Sequence, residues 1–347
     1  MGLATHLQLP DLVALQLQGW SDEALATAQI EGEILQLNSV RASAARRLGL
    51  ADGKKNKRDA RAEATLNLLE GALQNSHRAL SHQTLFDWQA ALFPTGRSGT
   101  QKILTGAYRT HSEPMQIVTP RMGKPDLVHY QAPASEDVKR HMDLFIQWFN
   151  SSLGKQDGLV RAALAHLWFE TIHPFEDGNG RIGRALVEMA LAQDLQTEQR
   201  LWSLSQQIWH ERSAYYEQLQ SATSSANMDV TPWVQWFVAC IHKAADSSWG
   251  QMQSAMRKTR FWADLRELHL SLTPSQSKAI NKLYDAGQDG FSGGMSTEKY
   301  VNLCGVSRAT AYRELTALCE AGLLVQTGSG RGTRYQLHHA EGMGSAL

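Results

Sequence analysis

The chain has 347 residues, more than one average domain, and 42% of them are hydrophobic, which is enough to build a packed core. Its 34 basic and 34 acidic residues balance, so the overall charge gives no support for a nucleic-acid-binding or membrane-surface protein. Because the three cysteines show no disulfide or metal-binding spacing and no apolar run reaches bilayer length, we expect a cytoplasmic protein without a leader segment or membrane partner.

The first predicted element is a helix over residues 11–37, with Ser21 as its N-cap and apolar residues at helical spacing. Residues 41–61 follow with eight basic residues against two acidic ones, a run that predicts a solvated loop rather than a nucleic-acid contact. Helical spacing returns over residues 59–80 and 82–93. We assign residues 1–80 to an N-terminal helical region.

The chain changes character over residues 108–130, where β-favouring pieces at 115–118 and 127–130 flank a stretch that runs from Pro120 to Pro125. This pattern predicts a small hairpin, or flap. Helical spacing returns from residue 136, and further helices are predicted over residues 159–172, 180–193, 205–222 and 231–246. Residues 81–250 are therefore predicted to form a mainly α unit, a helical bundle with a small β-hairpin flap.

Residues 173–184 read His-Pro-Phe-Glu-Asp-Gly-Asn-Gly-Arg-Ile-Gly-Arg. The Gly-Asn-Gly turn over 178–180 can adopt backbone angles closed to most residues, so its N–H groups can converge on an anion. A helix that starts just after the turn adds the favourable end of its dipole. Arg181 and Arg184 lie on that helix, and their planar guanidinium groups suit phosphate oxygens.

Two further side chains of this run suit nucleotide chemistry. Asp177 offers a hard oxygen ligand for Mg²⁺, the ion that accompanies ATP phosphates. His173 can accept a proton near neutral pH. The run as a whole predicts a site that binds a nucleotide phosphate and moves a proton beside it.

The last part of the chain predicts a connector over residues 251–272 and a separate unit over residues 273–338. Helices are predicted at 273–286, 296–303 and 308–321, and a hairpin around the glycine-rich segment 328–332 completes a winged helix-turn-helix pattern. The recognition helix and wing would expose a set of polar and basic residues: Arg308, Thr310, Arg313, Arg331 and Arg334. Residues 299–337 carry five basic and two acidic residues, which leaves DNA binding and a dimerisation or protein-docking role both open.

The run over residues 173–184 resembles the signature of the Fic family, His-x-Phe-x-(Asp/Glu)-Gly-Asn-Gly-Arg-x-x-Arg, at every specified position. The likeness extends over roughly residues 20–260. It implies a Fic-type helical bundle. It also implies that, like most proteins with this signature, the chain uses ATP and Mg²⁺ to transfer AMP to a Ser, Thr or Tyr hydroxyl of an unidentified target protein.

The resemblance assigns roles to the matched residues. It implies that His173 and Asn179 are catalytic and that Asp177 holds the metal ion. The residues implied to contact the nucleotide are Gly178, Asn179, Gly180, Arg181, Arg184, Tyr215 and Tyr216. The flap residues implied to align the target are Met115, Gln116 and Ile117.

Residues 27–32, Thr-Ala-Gln-Ile-Glu-Gly, resemble the inhibitory motif (Ser/Thr)-x-x-x-Glu-(Gly/Asn) of Fic proteins. Thr27 and Glu31 fall one turn apart on the predicted N-terminal helix. The resemblance implies that the Glu31 carboxylate pairs with Arg184 and denies the γ-phosphate its partner. We therefore expect an autoinhibited enzyme.

Several alternatives stay open. A hydrolase that removes AMP, with Glu31 activating water, fits the same residues. Some Fic relatives transfer phosphate or phosphocholine, although the complete Gly-Asn-Gly-Arg-x-x-Arg set favours a triphosphate in the orientation for AMP transfer. From a different class, the chain could be a winged-helix DNA-binding regulator with a secondary Fic activity. A homodimer is also left open.

Overall fold

The computed structural model describes residues 9–50, 59–112, 115–119, 127–224, 229–286 and 293–338. The described chain is mainly helical with three short two-stranded sheets, which confirms the predicted fold class. It divides into two compact units, Gln16–Ala245 and a second unit made of Met1–Leu15 with Asp246–Leu347. No helix within the described ranges is long and apolar enough to cross a membrane.

The N-terminal region contains three helices, α1 (Leu9–Ile30), α2 (Leu37–Arg47) and α3 (Ala60–Gln74). The prediction of one helix over residues 11–37 is therefore wrong. α1 stops because Gly32 adopts a φ of 77°, and the N–H groups of Gly32 and Glu33 donate back to the carbonyls of Gln29 and Ala28. Ser21 is not an N-cap either, because it lies inside α1 and its hydroxyl donates to the Leu17 carbonyl at 2.6 Å.

The basic run is not a solvated loop over its first part, because residues 41–47 belong to α2. Arg46 and Arg47 of α2 form ion pairs with Glu63 of α3. Burial acts to raise the pKa of Glu63, but hydrogen bonds from Ser43 and the two arginines outweigh it and lower that pKa to about 2. The basic residues at the end of α2 thus link α2 to α3. Residues 51–58 of the run lie outside the described chain.

Seven further helices make up the bundle and lead into the second unit. They are α4 (His82–Leu92), α5 (Ser135–Ser151), α6 (Gly158–Ile172), α7 (Asn179–Leu195), α8 (Leu204–His210), α9 (Arg212–Ser224) and α10 (Thr231–Glu267). α7 is buried over residues 181–192, as expected for a helix that is apolar on most sides. α3 packs against both α4 and α7, so the predicted boundary at residue 80 lies inside one compact unit.

The strands of this unit are short. β1 (Arg97–Ser98) pairs with β2 (Gln101–Lys102), and β3 (Gln116–Thr119) pairs with β4 (Leu127–Gln131), both antiparallel. The second pair is the predicted flap, and its register shifts between Ile117 and Val118. Residues 120–126, which join the two strands, lie outside the described chain.

The second unit contains the winged-helix elements that the sequence predicts. They are α11 (Pro274–Asp285), α12 (Thr297–Cys304), α13 (Arg308–Glu320), β5 (Leu324–Thr327) and β6 (Arg334–Leu337), with β5 and β6 antiparallel. Thr273 and Gln276 form a capping box at the start of α11. The segment predicted as a connector is helical as far as Glu267, and its Phe261 and Leu265 are buried in the core of this unit.

Candidate active site

Helix α6 delivers His173 at its C-terminal end. The helix begins after Asp157, whose carboxylate accepts the N–H groups of Leu159 and Val160. It ends at His173, which adopts left-handed backbone angles (φ 49°, ψ 58°). This conformation is uncommon for a residue with a side chain and turns the chain sharply out of the helix, so other groups must hold it in place.

Arg109 is one of those groups, and no motif in the sequence indicates it. Its side chain is buried, and its Nε donates to the His173 carbonyl at 2.8 Å. The rest of the guanidinium donates to Ser135 Oγ and to the Pro133 carbonyl at 2.8 and 2.6 Å. The backbone N–H of Arg109 also donates to the Pro174 carbonyl at 2.9 Å. Arg109 therefore ties the histidine turn to the segment that leads from the flap into α5.

The loop between α6 and α7 is closed by Asn179. Its amide accepts the N–H of Phe175 at 2.9 Å and donates to the carbonyl of Phe175 at 2.8 Å. Phe175 itself is fully buried in the core. Gly178 has a φ of 89°, and a Cβ there would lie 2.9 Å from the Phe93 ring. The Asn179 amide thus braces the loop, and its catalytic and nucleotide-binding roles stay predictions.

The N-terminus of α7 faces the carboxylate of Glu31. A Cβ added at Gly180 would lie 2.2 Å from Glu31 Oε1, so the absence of a side chain at Gly180 makes room for this carboxylate. The free N–H groups and the dipole of a helix N-terminus favour an anion at this place. Glu31 is the first residue past the end of α1, not a residue of the helix as the sequence predicts.

Arg184 connects the signature to the N-terminal motif. Its buried guanidinium donates to Glu31 Oε1 and Thr27 Oγ1, each at 2.7 Å, and to the Thr27 carbonyl at 3.1 Å. Burial acts to raise the pKa of Glu31, but the charge of Arg184 and its hydrogen bond outweigh that and lower the pKa. The structure thus joins Thr27, Glu31 and Arg184 as the resemblance implies, with the acid ionised.

Arg181 has an acidic partner that the sequence reading missed. Its Nη1 donates to Glu33 Oε1 at 2.8 Å, and its guanidinium stacks on the Phe93 ring at 5.0 Å. The Arg181 side chain is 5% exposed and that of Glu33 29%. The glycine that breaks the helix before Glu33 is the one signal that could have indicated a chain reversal here.

Asp177 lies beside the same helix end. It accepts a hydrogen bond from Ser98 Oγ, and its Oδ1 is 3.6 Å from Arg181 Nη2. The side chain is 36% exposed. Among the described residues there is no cluster of three or more acidic, His or Cys side chains that could hold a metal. Mg²⁺ often binds to only one or two protein carboxylates and takes its other ligands from water and from substrate phosphates. The accessible carboxylate of Asp177 suits this mode of binding.

A cavity of about 710 Å³ adjoins these groups. Its walls include Glu31, Gly180, His173 and Glu170, and residues of α9 complete it. Burial lowers the pKa of His173 to about 4, although the backbone of Glu170 and the charges of Glu31 and Asp177 oppose this. His173 is therefore neutral at neutral pH, the form that can accept a proton.

Both predicted tyrosines line this cavity. Tyr215 is buried, and its hydroxyl lies 2.9 Å from His166 Nε2. Tyr216 is 42% exposed, and its hydroxyl donates to the Ile30 carbonyl at 3.3 Å. Their rings meet edge to face with centroids 5.1 Å apart. They form part of the cavity wall, and their contact with a nucleotide stays a prediction.

The flap reaches the cavity through its second strand. Tyr130 of β4 lines the cavity, and its hydroxyl donates to the Thr171 carbonyl at 2.6 Å. Met115 precedes β3, and its carbonyl accepts the N–H of Ala132 at 2.9 Å. The side chains of Gln116 and Ile117 lie outside the described part of the structure, so their predicted role in aligning a target stays a prediction.

Comparison with protein families places three matches along the chain. Residues 79–191 match the Fic/DOC family, and this range contains α6 and most of α7. Residues 1–50 match a domain of unknown function, DUF4172. Residues 292–338 match the C-terminal domain of transcriptional regulators of the DIP2311-like type. The predicted Fic resemblance is confirmed.

Individual relatives agree with the family match. The protein adenylyltransferase Fic of Nematostella vectensis is 27% identical over 143 residues, 40% of this chain and 30% of that protein. The chain thus spans about a third of the length of this curated relative. A Fic family protein from Desulfovibrio desulfuricans aligns with a TM-score of 0.51 at 22% identity, over 98% of this chain and 91% of that one. A Fic domain containing signaling protein from Bacteroides thetaiotaomicron aligns with a TM-score of 0.52 at 19% identity, over 72% and 90%. These two structures share the fold.

Proposed function

We propose that this protein transfers AMP from ATP to a Ser, Thr or Tyr hydroxyl of a target protein, because residues 79–191 match the Fic/DOC family. The observation that carries the proposal is the neutral His173 on the wall of a cavity that also borders the N-terminus of α7 at Gly180. A base that can accept a proton and a helix end that can bind an anion are both features that nucleotidyl transfer uses. The adenylyltransferase name of the curated relatives supports the same activity.

In the proposed reaction the phosphates of ATP bind at the turn over residues 178–180, with Arg181 at the β-phosphate and Arg184 at the γ-phosphate. The hydroxyl oxygen of the target attacks the α-phosphorus as the bond to the bridging oxygen of pyrophosphate breaks. The hydroxyl proton passes to the neutral imidazole of His173, and pyrophosphate leaves with the electron pair. Alignment and charge neutralisation supply most of the acceleration in phosphoryl-type transfer.

Asp177 is the residue that would hold Mg²⁺ in this proposal, together with phosphate oxygens of the substrate. The ion supplies neutralisation of phosphate charge when bound. The arginines of α7 act on the same charge from the protein side. The side chain of Asn179 keeps the loop closed around these groups.

The proposal includes inhibition by Glu31. Its carboxylate occupies the Arg184 guanidinium and lies against Gly180, where a phosphate is expected to bind. A carboxylate and a phosphate compete for the same donors. Hydrolytic removal of AMP, with Glu31 activating water, uses the same groups and is the alternative within this site.

The experiment that tests this function uses ATP labelled at either the α- or the γ-phosphate, with the purified Glu31→Gly protein and its auto-modification as the readout. We expect protein labelling from α-labelled ATP and none from γ-labelled ATP, since AMP and not phosphate is transferred. Labelling from the γ-position would overturn the proposal in favour of phosphate transfer. If wild-type protein strips AMP from a labelled target and Glu31→Gly does not, the hydrolase is supported.

A second candidate function belongs to the winged-helix unit, which matches a transcriptional-regulator domain. Arg308 and Arg313 are exposed on α13, as a recognition helix requires. Thr310 differs from expectation, because its N–H and hydroxyl are engaged by the Ser307 cap, whereas Tyr312 is 63% exposed on the same helix. The side chain of Arg331 lies outside the described structure. We propose DNA binding here, with dimerisation or protein docking as the alternative.

If this unit binds DNA, Arg308→Ala and Arg313→Ala should each weaken binding of a random duplex by about three- to tenfold, measured by fluorescence anisotropy at low salt. Affinity should fall steeply as salt rises, because phosphate contacts release counterions. Lys282→Ala, an exposed basic residue on α11, is the matched control. No retention of DNA at low salt, together with a dimer in sedimentation, would favour the docking alternative.

A further inference from the structure

Glu170 is a buried acid on the cavity wall that the proposed reaction does not use. It lies one turn before His173 on α6, and its Oε2 is 3.8 Å from His173 Nδ1. Its side chain is 9% exposed. Oε1 has no hydrogen-bond partner among the described residues. A buried carboxylate is costly unless something compensates for it, so its place beside the histidine needs an explanation.

The neighbouring helix leaves space for this carboxylate. A Cβ added at Gly183 of α7 would lie 2.6 Å from Glu170 Oε1 and 3.0 Å from His166 Nδ1. Any side chain at Gly183 would therefore push Glu170 away from its present position. Gly183 of α7 therefore makes room for Glu170 of α6. The Glu170 carboxylate lies beside Nδ1 of His173, so Nε2 of the same ring is left to face the substrate.

We propose that Glu170 is a positioning residue that orients the His173 ring and stabilises its imidazolium form during transfer, an inference that rests on the proposed function. When Nε2 of His173 accepts the hydroxyl proton, the ring becomes cationic, and its Nδ1, which has no hydrogen-bond partner among the described residues, lies 3.8 Å from Glu170 Oε2. A carboxylate next to that nitrogen lowers the energy of the charged ring, as the acid of a catalytic triad does. Glu170 thus acts through His173 and does not touch the substrate.

The charge of Glu170 depends on its surroundings. Burial and, to a smaller extent, the charge of Glu31 raise the pKa of Glu170 to about 8, while Arg184 opposes them. The titratable groups nearby are His166 on the same helix and Tyr215 on α9. Arg109, Glu31 and Asp177 also act on His173 through their charges. Removing Glu31 removes one cause of the raised pKa, so the carboxylate ionises more readily in an activated protein.

The test compares Glu170→Gln with its parent in the Glu31→Gly background, over a range of ATP concentrations at each of several pH values. Glu170 is charged above its pKa and neutral below it, so its contribution is present at high pH and lost as pH falls. We expect Glu170→Gln to lower kcat by about tenfold near pH 9 and by less than about threefold near pH 6, with KM for ATP within about twofold. Glu170→Asp should recover part of the rate.

Asp143→Asn is the matched control, because Asp143 also pairs with a histidine, His82, at 2.7 Å, but on the protein surface. Gly183→Ala tests the same idea without removing the acid and should lower kcat in the same pH-dependent way. A loss that is equal at all pH values, or no loss in either variant, would overturn the proposal. Failure of the proposed function would instead appear as no AMP transfer by the Glu31→Gly parent.

Arg181, like Arg184, is paired with an acid from the segment that follows α1. The same turn that brings Glu31 to Arg184 brings Glu33 to Arg181, because the Glu33 N–H donates to the Ala28 carbonyl at 2.9 Å and reverses the chain. The two buried guanidinium groups of the phosphate site are thus each paired with a carboxylate from one short segment. Two acids are therefore paired with the two arginines proposed to bind phosphates.

We infer that Glu33 is a second inhibitory carboxylate, which competes with the β-phosphate for Arg181; this also rests on the proposed function. Glu33→Gln keeps the size of the side chain and weakens the charge pair. In the Glu31→Gly background it should lower KM for ATP by about threefold or more, since a neutral amide competes less well than a carboxylate with the β-phosphate for Arg181. Glu70→Gln is the matched control, because Glu70 pairs with Arg47 at 3.1 Å away from the cavity. An unchanged KM in the double variant would overturn this inference, whereas inactivity of Glu31→Gly itself would count against the proposed function.

Discussion

Replacement of His173 by alanine is expected to reduce AMP transfer by at least about a hundredfold, because general-base catalysis is worth roughly 10²–10⁴ in rate. The side chain is neutral at neutral pH, since burial lowers its pKa, and it lies on the wall of the cavity. The arginines proposed to hold the phosphates donate to Glu33, Thr27 and Glu31 rather than to His173. ATP binding should therefore stay within about twofold of the parent.

The measurement is best made in the Glu31→Gly background, where the rate is high enough to follow a large loss. Calorimetric ATP titration separates binding from chemistry. His210→Ala, an exposed histidine on α8, serves as the control and should leave both quantities unchanged. Retention of more than about a hundredth of the parent rate by His173→Ala would argue against a general base at this position.

Replacement of Glu31 by glycine is expected to raise auto-modification, or labelling of lysate proteins, by at least about tenfold, which corresponds to about 1.4 kcal/mol. The Glu31 carboxylate accepts a hydrogen bond from Arg184 at 2.7 Å and lies against Gly180 at the N-terminus of α7. Its removal frees the donors proposed for the γ-phosphate. The gain is modest for a charge pair in which the arginine is buried and the acid is 30% exposed.

Two further variants make this prediction specific. Arg184→Ala in the Glu31→Gly background should abolish the gain, because the freed site then lacks its γ-phosphate partner. Gln29→Ala, an exposed residue near the end of the same helix, should have no effect. If Glu31→Gly left labelling unchanged while His173→Ala still abolished it, inhibition by Glu31 would have to be dropped and the proposed chemistry kept.

Local patterns in the sequence predicted the type of most elements. Apolar spacing indicated the helices of the bundle, and β-favouring residues on both sides of a proline-bounded segment indicated the flap. The capping box formed by Thr273 and Gln276 spans only four residues, so the sequence alone indicates the start of that helix. Two predicted elements were wrong. The helix predicted over residues 11–37 ends before Gly32, which adopts a positive φ. The basic run predicted as a loop is helical over residues 41–47, where ion pairs from α2 to α3 stabilise it, and composition cannot show such pairs.

By itself the sequence determined the signature from His173 to Arg184 and the presence of a candidate inhibitory acid, because these are contiguous runs of residue types with a chemical use. Only the tertiary structure decided which acid meets which arginine. Glu31 and Arg184 are 153 residues apart, and Glu33 and Arg181 are 148 apart, so their pairing depends on how the end of α1 packs over α7. Burial, which sets the ionisation of Glu170 and His173, likewise comes from helices distant in sequence that exclude water from the cavity wall.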